Sequence, residues 1–521
     1  MGKISNSPGH HSGCGCCGGG HGAGLLRRDF LAEAGIAALG GAVLTAMAPR
    51  PPAAAGTAMP KREDRPLRMQ PVLLYSVPKR KEGTSWRQWG GLQTEADAGA
   101  EKARIEAELK TVRQRADFAL ELLPVKAVTD AAQAAAIAAE PHDGMIVYAA
   151  GCGEPVLRAA TPPEKWNIIF CRHRTGPAYV WYEIVHPRYL RKMVDEYGQP
   201  GMGVDDVVVD ELDDIVWRLR ALHGLKNTLG KKIVTIGGAG GWGTGGKTAP
   251  QRAQELWKLQ YVDVPYPQLT ERMQKAFADT TLVARCREEA GRYLKRGITH
   301  VDTKREYIDR AFVLADVFRQ IMEEAGTDAI TVLHCMGTIM GISQTTACLP
   351  LSLLNDEGYM AFCESDFVVI PSGILLKGIS GKPVFLNDPT YPHHGVVTLA
   401  HCTAPRRMDG QSRERARLLT HFESDYGAAP KVEMRLGQTV TNIVPDFASA
   451  KWVGFEGKIV GNPFLDICRS QIDVEIKGDW RRLLEEMKGF HWMMSYGNYL
   501  RETGYALGKV GVDWLDVSGA S

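Results

Sequence analysis

Two carboxylates in the last third of the chain have the residue types and spacing of a chemical site. Glu364 and Asp366 directly follow the apolar run Met360–Cys363. Side chains two positions apart on a β-strand point to the same face, so we expect both carboxylates on one face at the end of a buried strand. Carboxylates held this close repel each other unless a cation lies between them or one stays protonated. The pair predicts a cation site, and the alternative is two solvated carboxylates at a strand end.

Two histidines are placed where they could complete such a site. His401 ends the apolar run that starts at Val396, and His491 follows a helical stretch stopped by Gly489. A lone histidine at a strand end is often structural, so His401 stays open between that role and a part in the site. Carboxylate oxygens with one imidazole suit Mn²⁺ (or Mg²⁺) better than a structural zinc.

The elements that must position these residues alternate between strand-like and helical runs. Continuous apolar strands are typical of parallel sheets covered by helices on both faces. After about residue 430, short apolar runs broken by glycines favour a small antiparallel barrel or sandwich. The predicted fold class is α/β, with two doubly wound parallel-sheet domains followed by a β-rich C-terminal domain. The predicted boundaries are 1–58 for a signal peptide and linker, 66–180 and 181–370 for the α/β domains, and 371–521 for the β-rich domain.

Two helices are predicted with particular local signals. Thr94 and Asp97 have the spacing of a capping box, which predicts a helix start at Thr94. A second helix is expected to end at Gly326, because glycine tolerates the left-handed conformation of a helix terminus. Its predicted apolar face consists of Tyr307, Ala311, Leu314, Phe318 and Ile321.

Six stretches of the C-terminal half carry a resemblance to a known family. They include Cys-Glu-Ser-Asp at 363–366 and Ala-His-Cys-Thr-Ala-Pro at 400–405, and the others span 347–358, 381–389, 435–440 and 491–499. In their order and spacing they resemble the C-terminal half of the L-fucose/L-arabinose isomerase superfamily. The N-terminal half agrees with that superfamily in architecture alone.

The resemblance implies a function and a set of site residues. Members of the superfamily have two α/β domains followed by a β-rich domain, form trimers or hexamers, and use Mn²⁺ to interconvert aldoses and ketoses. Their metal is held by two acidic residues and a histidine, which implies Glu364, Asp366 and His491 here. We therefore expect a divalent-metal-dependent sugar isomerase-like homo-oligomer that acts through an enediolate. The expected catalytic residues are Glu364, Asp366 and Asp388, and the expected substrate contacts come from Asn387, His401 and Trp492.

One part of the superfamily's pattern is missing. Its members have a further catalytic glutamate upstream of the strand-end acid, where residues 336–346 of this chain contain no carboxylate. The base could come from elsewhere, such as Asp388 or Asp210. The alternative is a non-catalytic, carbohydrate-binding descendant of the fold.

A glycine-rich segment offers a third hypothesis. Residues 241–248 match the pattern G-x-x-x-x-G-K-[ST], in which backbone N–H groups and a lysine, here Lys247, hold nucleotide phosphates. The match begins well after the preceding strand ends at Ile236. Pro250 and polar residues follow where such a loop has its packed helix. We therefore expect a loop near the substrate rather than a nucleotide hydrolase.

The N-terminus has the parts of an export signal. Arg27 and Arg28 precede a short, glycine-diluted apolar run, and Ala46-Met47-Ala48 offers a cleavage site. This pattern predicts a twin-arginine signal peptide and a periplasmic or extracellular protein; the alternative is an amphipathic helix. The apolar run is too short for a membrane anchor, so no stable membrane insertion is expected after cleavage.

Composition narrows the remaining classes. The chain has 521 residues, enough for two or three domains, and a formal net charge of +2, which argues against a dedicated nucleic-acid binder. Three of its eleven cysteines lie in the presumed signal region. The other eight are predicted to be buried thiols rather than a disulfide framework, and these are Cys152, Cys171, Cys286, Cys335, Cys348, Cys363, Cys402 and Cys468.

Overall fold

A computed structural model describes residues 64–190 and 198–519 of the protein. The twin-arginine motif and the cysteines before it lie outside the described residues. Within the described residues, no helix combines the length and the apolar character that crossing a membrane requires.

The first part of the described chain forms a parallel sheet flanked by helices. Its elements are β1 (Leu67–Leu74), α1 (Glu95–Arg115), β2 (Leu120–Leu122), β3 (Lys126–Val128), α2 (Ala131–Ala138), β4 (Gly144–Ala149), α3 (Glu154–Ala160), β5 (Trp166–Cys171), α4 (Trp181–Ile184), a π-helical turn (Val185–Leu190), a 3₁₀ turn (Val204–Asp206) and β6 (Val207–Val209). The strand order is β2-β1-β4-β5-β6, and β3 also pairs with β1. Because β6 pairs with β5, this sheet continues past the predicted boundary at residue 180.

A second parallel sheet follows, with the strand order β11-β10-β7-β8. Its elements are α5 (Leu212–Thr228), β7 (Lys232–Ile236), a 3₁₀ turn (Gly245–Thr248), α6 (Ala249–Trp257), β8 (Gln260–Val264), α7 (Tyr266–Ala278), α8 (Thr280–Leu294), β9 (Ile298–Asp302), α9 (Arg305–Ala325), β10 (Ala329–Val332), α10 (Thr338–Ser343), α11 (Cys348–Asp356), β11 (Met360–Cys363) and α12 (Ile370–Ser380). Ligands of such sheets bind beyond the carboxyl ends of the strands, which is where Glu364 lies.

A closed antiparallel barrel forms from the remaining chain. The elements are β12 (Phe385–Pro389), β13 (Val396–His401), β14 (Arg415–His421), β15 (Tyr426–Glu433), β16 (Thr439–Val444), β17 (Lys451–Gly461), β18 (Ser470–Ile476), α13 (Trp480–Glu486), β19 (Trp492–Tyr496), α14 (Leu500–Gly508) and β20 (Asp513–Asp516). The barrel order is β16-β19-β12-β13-β18-β17, closed by the pairing of β17 with β16. The barrel confirms one of the two predicted β-architectures, although it begins with β12 rather than near residue 430.

Two strands next to the barrel join a different sheet. β14 pairs with β15 in antiparallel fashion and with β9 in parallel fashion. Since β9 comes from the same stretch of chain as the second parallel sheet, this three-stranded sheet connects that stretch to the barrel segment.

The structure confirms several local predictions about helix ends, helix packing and cysteines. The Thr94–Asp97 capping box is present, and α9 ends at Gly326 with a φ of 62°. The predicted apolar face of α9 packs in the interior, with Ala311, Leu314, Phe318 and Ile321 buried. The eight cysteines of the described chain are free thiols, as predicted; six are buried, whereas Cys152 and Cys468 are half-buried.

Candidate metal centre

The segment that follows β11 is a turn rather than extended strand. Glu364 and Ser365 have φ values of 64° and 51°, in the left-handed region that non-glycine residues rarely adopt. The expectation that Glu364 and Asp366 share one strand face is therefore wrong, because the strand ends at Cys363. The hydroxyl of Ser365 donates to the carbonyl of Gly238 at 2.8 Å, which ties the turn to the glycine-rich loop after β7.

Asp366 is enclosed by donors of the protein itself. Its Oδ1 accepts hydrogen bonds from the backbone N–H groups of Trp242 and Val368, each at 3.0 Å. Its Oδ2 lies 2.7 Å from Nδ1 of His491. Because the side chain is buried, this contact favours the tautomer with the proton on Nδ1 and leaves Nε2 with a lone pair. The Asp366 carboxylate therefore fixes the orientation of the His491 ring through Nδ1.

Glu364 and Asp388 face the opposite edge of the His491 ring, and His401 lies next to Glu364. His491 Nε2 lies 3.2 Å from Glu364 Oε2 and 3.2 Å from Asp388 Oδ1. His401 Nε2 lies 3.5 Å from Glu364 Oε1, so the Glu364 carboxylate faces both imidazoles. The other ring nitrogen of His401 is 3.0 Å from the hydroxyl of Thr403.

The barrel explains how residues so far apart in sequence converge. Asp388 in β12 pairs with Ala400, the neighbour of His401 in β13. On its other side β12 pairs with β19, which starts directly after His491. Three adjacent strands thus place Asp388, His401 and His491 at one end of the barrel, and the turn after β11 brings Glu364 against them.

The donor atoms of this cluster fit a divalent cation. Asp388 Oδ1, His401 Nε2 and His491 Nε2 are buried and form no hydrogen bond within the described chain. A buried polar atom without a hydrogen bond costs about 1–3 kcal/mol, and a cation bound among these three atoms would remove that cost. Potential ligand atoms of Asp388, His401 and His491 lie within 4.8 Å of one another, and the same holds for Cys363, Glu364 and His401.

Charge is strongly coupled between Glu364 and His491. Burial alone would raise the pKa of Glu364, but His491 and His401 hold that pKa well below its usual range. Burial alone would lower the pKa of His491, but Glu364, Asp366 and Asp388 raise it well above the usual value. Without a metal, the cluster is stabilised by a proton on His491, and a cation would take over that positive charge.

A cavity of about 280 Å³ opens beside the cluster. Of the four side chains Glu364, Asp388, His401 and His491, Asp388 alone lines it. Two aromatic rings line the wall, from Phe422 and from Phe490. Phe490 is stacked on Trp242 at a centroid distance of 4.5 Å. The remaining lining residues are Pro389, Thr390, Ala400, Glu423, Asp466, Ile467 and Cys468.

Three other residues proposed from the sequence lie away from this cavity. Trp492 is fully buried in the barrel core against Phe455, with ring centroids 5.8 Å apart. The amide of Asn387 is fully buried and donates to the carbonyl of Phe385 at 2.9 Å. Asp210 accepts hydrogen bonds from the backbone N–H groups of residues 173–175. Although burial opposes them, these bonds lower its pKa to about 2, so Asp210 is a loop-ordering carboxylate and a poor base.

The glycine-rich loop uses its donors within the protein. The N–H groups of Gly240, Trp242 and Gly246 bond to Ser365, Asp366 and Trp242 respectively. A Cβ on Gly241 would lie 2.1 Å from the carbonyl oxygen of Gly246, so glycine is required here by close backbone packing. Contrary to the sequence expectation, a helix, α6, does follow the loop. Because the N–H groups of Trp242 and Gly246 are used within the protein, the loop supports the turn at Asp366 and is less suited to bind phosphates.

Three contributors to the site were not predicted. Phe422 and Phe490 line the cavity, and the hydroxyl of Thr403 contacts the His401 ring. Phe490 carried one usable signal, since it directly precedes His491. No protein-family model matches the chain, and no curated protein is significantly similar to it.

Proposed function

We propose that the protein is a divalent-metal-dependent sugar isomerase-like enzyme that interconverts an aldose and a ketose, or a related sugar derivative, through an enediolate. One observation carries the proposal: the side chains of Glu364, Asp388, His401 and His491 converge beside a small cavity. The resemblance of residues 347–521 to the L-fucose/L-arabinose isomerase superfamily supports the reaction type.

The wider expectations are part of the same proposal. The two parallel sheets correspond to two doubly wound domains and the barrel to the β-rich C-terminal domain. The enzyme is a trimer or hexamer, is exported by the twin-arginine route and acts in the periplasm or outside the cell. Folding before export would let the protein take up its metal inside the cell.

Each side chain has a separate role in the proposed centre. Glu364, His401 and His491 hold the cation, and Asp366 orients His491 rather than binding the cation itself. Two imidazoles make Mn²⁺ a better fit than Mg²⁺, which prefers oxygen ligands throughout. Asp388 reaches both the cluster and the cavity, which suits a group that exchanges a proton with the substrate.

The proposed reaction needs one proton moved between neighbouring carbons. A bound divalent cation supplies positive charge that lowers the cost of an enediolate. Asp388 would take the proton from the carbon next to the carbonyl and return it to the former carbonyl carbon, while the hydroxyl proton of the first carbon would pass to the former carbonyl oxygen. The rings of Phe422 and Phe490 would pack on the apolar faces of the sugar and exclude water from that carboxylate.

Metal binding is the first test. Mn²⁺ is titrated into the wild type and into Glu364→Gln, His491→Gln and Asp466→Asn, the last as a matched control that lines the cavity without contacting the cluster. We expect binding to wild type and Asp466→Asn, and loss of affinity of at least about tenfold in the other two. Equal affinities in all four proteins would refute the metal centre.

Proton exchange is the second test. Wild type and Asp388→Asn are incubated with a panel of aldoses in D₂O, and deuterium at the carbon next to the carbonyl is followed by NMR. We expect wild type to exchange, and Asp388→Asn to keep Mn²⁺ but lose exchange by about 10²-fold or more. Loss of Mn²⁺ by this variant would make Asp388 a ligand and leave the proton carrier unassigned.

A non-catalytic sugar-binding protein is the second candidate. The observation that favours it is that residues 336–346, which contain α10, have no carboxylate. This candidate predicts saturable sugar binding with no deuterium exchange for every aldose that binds. Exchange on any bound aldose would exclude it.

A further inference from the structure

A second cavity, of about 310 Å³, lies at the opposite edge of the second parallel sheet from the metal centre. Lys231, Asp328 and Met360 line it, and they stand at the amino ends of β7, β10 and β11. Glu364 follows the carboxyl end of β11, so the length of that strand, about 13 Å, separates the two sites. Small-molecule sites typically have volumes of about 300–1,000 Å³, so this cavity has room for a small ligand.

The charged side chains of the second cavity balance one another. Four lysine or arginine residues and four aspartate residues line it, so their formal charges cancel. Two of the pairs are direct contacts, of Arg220 with Asp117 and of Lys231 with Asp328. Paired groups offer directional hydrogen bonds rather than a free charge. The cavity therefore suits an uncharged polar molecule better than an anion or a cation.

His223 lines the second cavity with a ring nitrogen that the protein does not satisfy. The residue belongs to α5 and is 1% exposed. The backbone of Gly378 approaches one ring nitrogen, and the other has no hydrogen-bond partner in the described chain. Burial lowers the pKa of His223, so the ring is neutral near pH 7 and has one N–H donor and one lone pair. A hydroxyl group can bond to either nitrogen, because it both donates and accepts.

The remaining lining combines a further donor with apolar surface. The ammonium group of Lys382 lies 3.1 Å from the carbonyl oxygen of Tyr496 and 5.4 Å from the ring centroid of Tyr499. An ammonium group has three N–H bonds, so donors remain for a ligand. Phe118 and Ile374 contribute apolar surface that can pack on C–H groups. A few polar groups beside apolar walls are typical of small-molecule sites.

We propose that the second cavity binds a neutral polyol of about monosaccharide size, with His223 and Lys382 as its hydrogen-bonding residues. The hydroxyl groups of such a ligand satisfy both side chains, and its C–H groups pack on Phe118 and Ile374. Binding is non-covalent and involves no metal. The site goes beyond the proposed isomerase function and does not depend on it.

The test uses alditols as probes, because they are neutral polyols without a carbonyl group and so cannot be isomerised. Sorbitol, xylitol and ribitol are titrated by calorimetry, with a metal chelator present, into the full-length wild type, His223→Phe, Lys382→Met and the matched control His142→Phe. His142 is a buried histidine outside the cavity. We expect at least one alditol to bind one site per chain in the wild type and in His142→Phe. Its affinity should fall at least about tenfold in the other two variants.

Three results would overturn the site. They are no binding of any of the three alditols to wild type, unchanged affinity in a folded His223→Phe, and loss of affinity in Asp388→Asn alone, which would assign binding to the cavity beside the metal centre. Circular dichroism checks the fold of each variant. Lys382 is half-buried, so unchanged affinity in Lys382→Met decides against the site if His223→Phe misfolds. Glu364→Gln should lose Mn²⁺ and keep alditol binding, which separates this proposal from the metal centre.

Discussion

At the scale of single residues, the role of a side chain depends on which atom of its neighbour it contacts. Asp366 and Glu364 contact the same imidazole, but Asp366 meets Nδ1 and Glu364 meets Nε2. The sequence placed both acids at the right strand end. It did not reveal their different roles, because the left-handed conformations of Glu364 and Ser365 have no signal in residue type.

The role of Asp366 leads to a prediction for Asp366→Asn. An asparagine can keep one accepting oxygen for the N–H groups of Trp242 and Val368, and it then turns its NH₂ toward His491 Nδ1. The proton of His491 would move to Nε2 and block the lone pair that binds the cation. We expect Mn²⁺ affinity to fall about 10–100-fold without unfolding, measured by Mn²⁺ titration alongside circular dichroism.

The control for this prediction is Asp466→Asn, which removes the same charge from the cavity wall without touching a histidine. Wild-type affinity in Asp366→Asn would show that the carboxylate does not set the tautomer. A loss of equal size in Asp466→Asn would instead assign the effect to long-range charge.

At the scale of elements, hydrophobic patterning predicted the positions of strands and helices better than it predicted which strands pair. The apolar runs that became β7 and β11 were recognised, and the glycine-broken tail did form a barrel. The pairing of β6 with the first sheet was not predicted, because a three-residue strand carries too little pattern to show which neighbour it pairs with. The convergence of β12, β13 and β19 depends on barrel closure, a non-local property that no short segment encodes.

The glycine-rich loop gives a prediction at this scale. Gly241→Ala would place a Cβ against the backbone of Gly246, so the loop must open and pull Trp242 N–H away from Asp366. We expect the free energy of unfolding to fall by about 1–3 kcal/mol, as for overpacked interiors. Mn²⁺ affinity should fall with it, because Asp366 loses a donor. Urea unfolding and Mn²⁺ titration measure the two effects.

The matched control is Gly341→Ala in α10, where an added Cβ meets nothing within 4 Å. A helical glycine replaced by alanine should leave stability unchanged or raise it by up to about 1 kcal/mol. If Gly241→Ala and Gly341→Ala have the same free energy of unfolding and the same Mn²⁺ affinity, the loop does not support the proposed metal centre.

At the scale of the whole molecule, the centre joins parts of the chain that belong to different sheets. Glu364 follows the second parallel sheet, whereas Asp388, His401 and His491 come from the barrel. A ligand that binds the native state alone stabilises it by about 2.7 kcal/mol at one hundred times its Kd. We therefore expect saturating Mn²⁺ to raise the free energy of unfolding by about this amount in wild type and to leave Glu364→Gln unchanged. An equal gain in both proteins would place the stabilising ion elsewhere.

The pH dependence of stability tests His421, a buried histidine at the end of β14. Burial lowers the pKa of His421 from 6.5 to about 4, with His401 and Arg469 adding to the effect. In the unfolded chain the same ring has a pKa near 6.5. Between pH 4 and pH 6.5 the unfolded state is therefore protonated at this ring, whereas the folded state is not. Stability from this group is complete above pH 6.5 and falls toward pH 4. Unfolding is measured by urea titration in the presence of a chelator. Between pH 6.5 and pH 4, the free energy of unfolding of His421→Asn should fall by about 2–3 kcal/mol less than that of the wild type. Parallel curves for the two proteins would mean that His421 is charged in the native state and that Glu423, 3.5 Å from its Nε2, pairs with it.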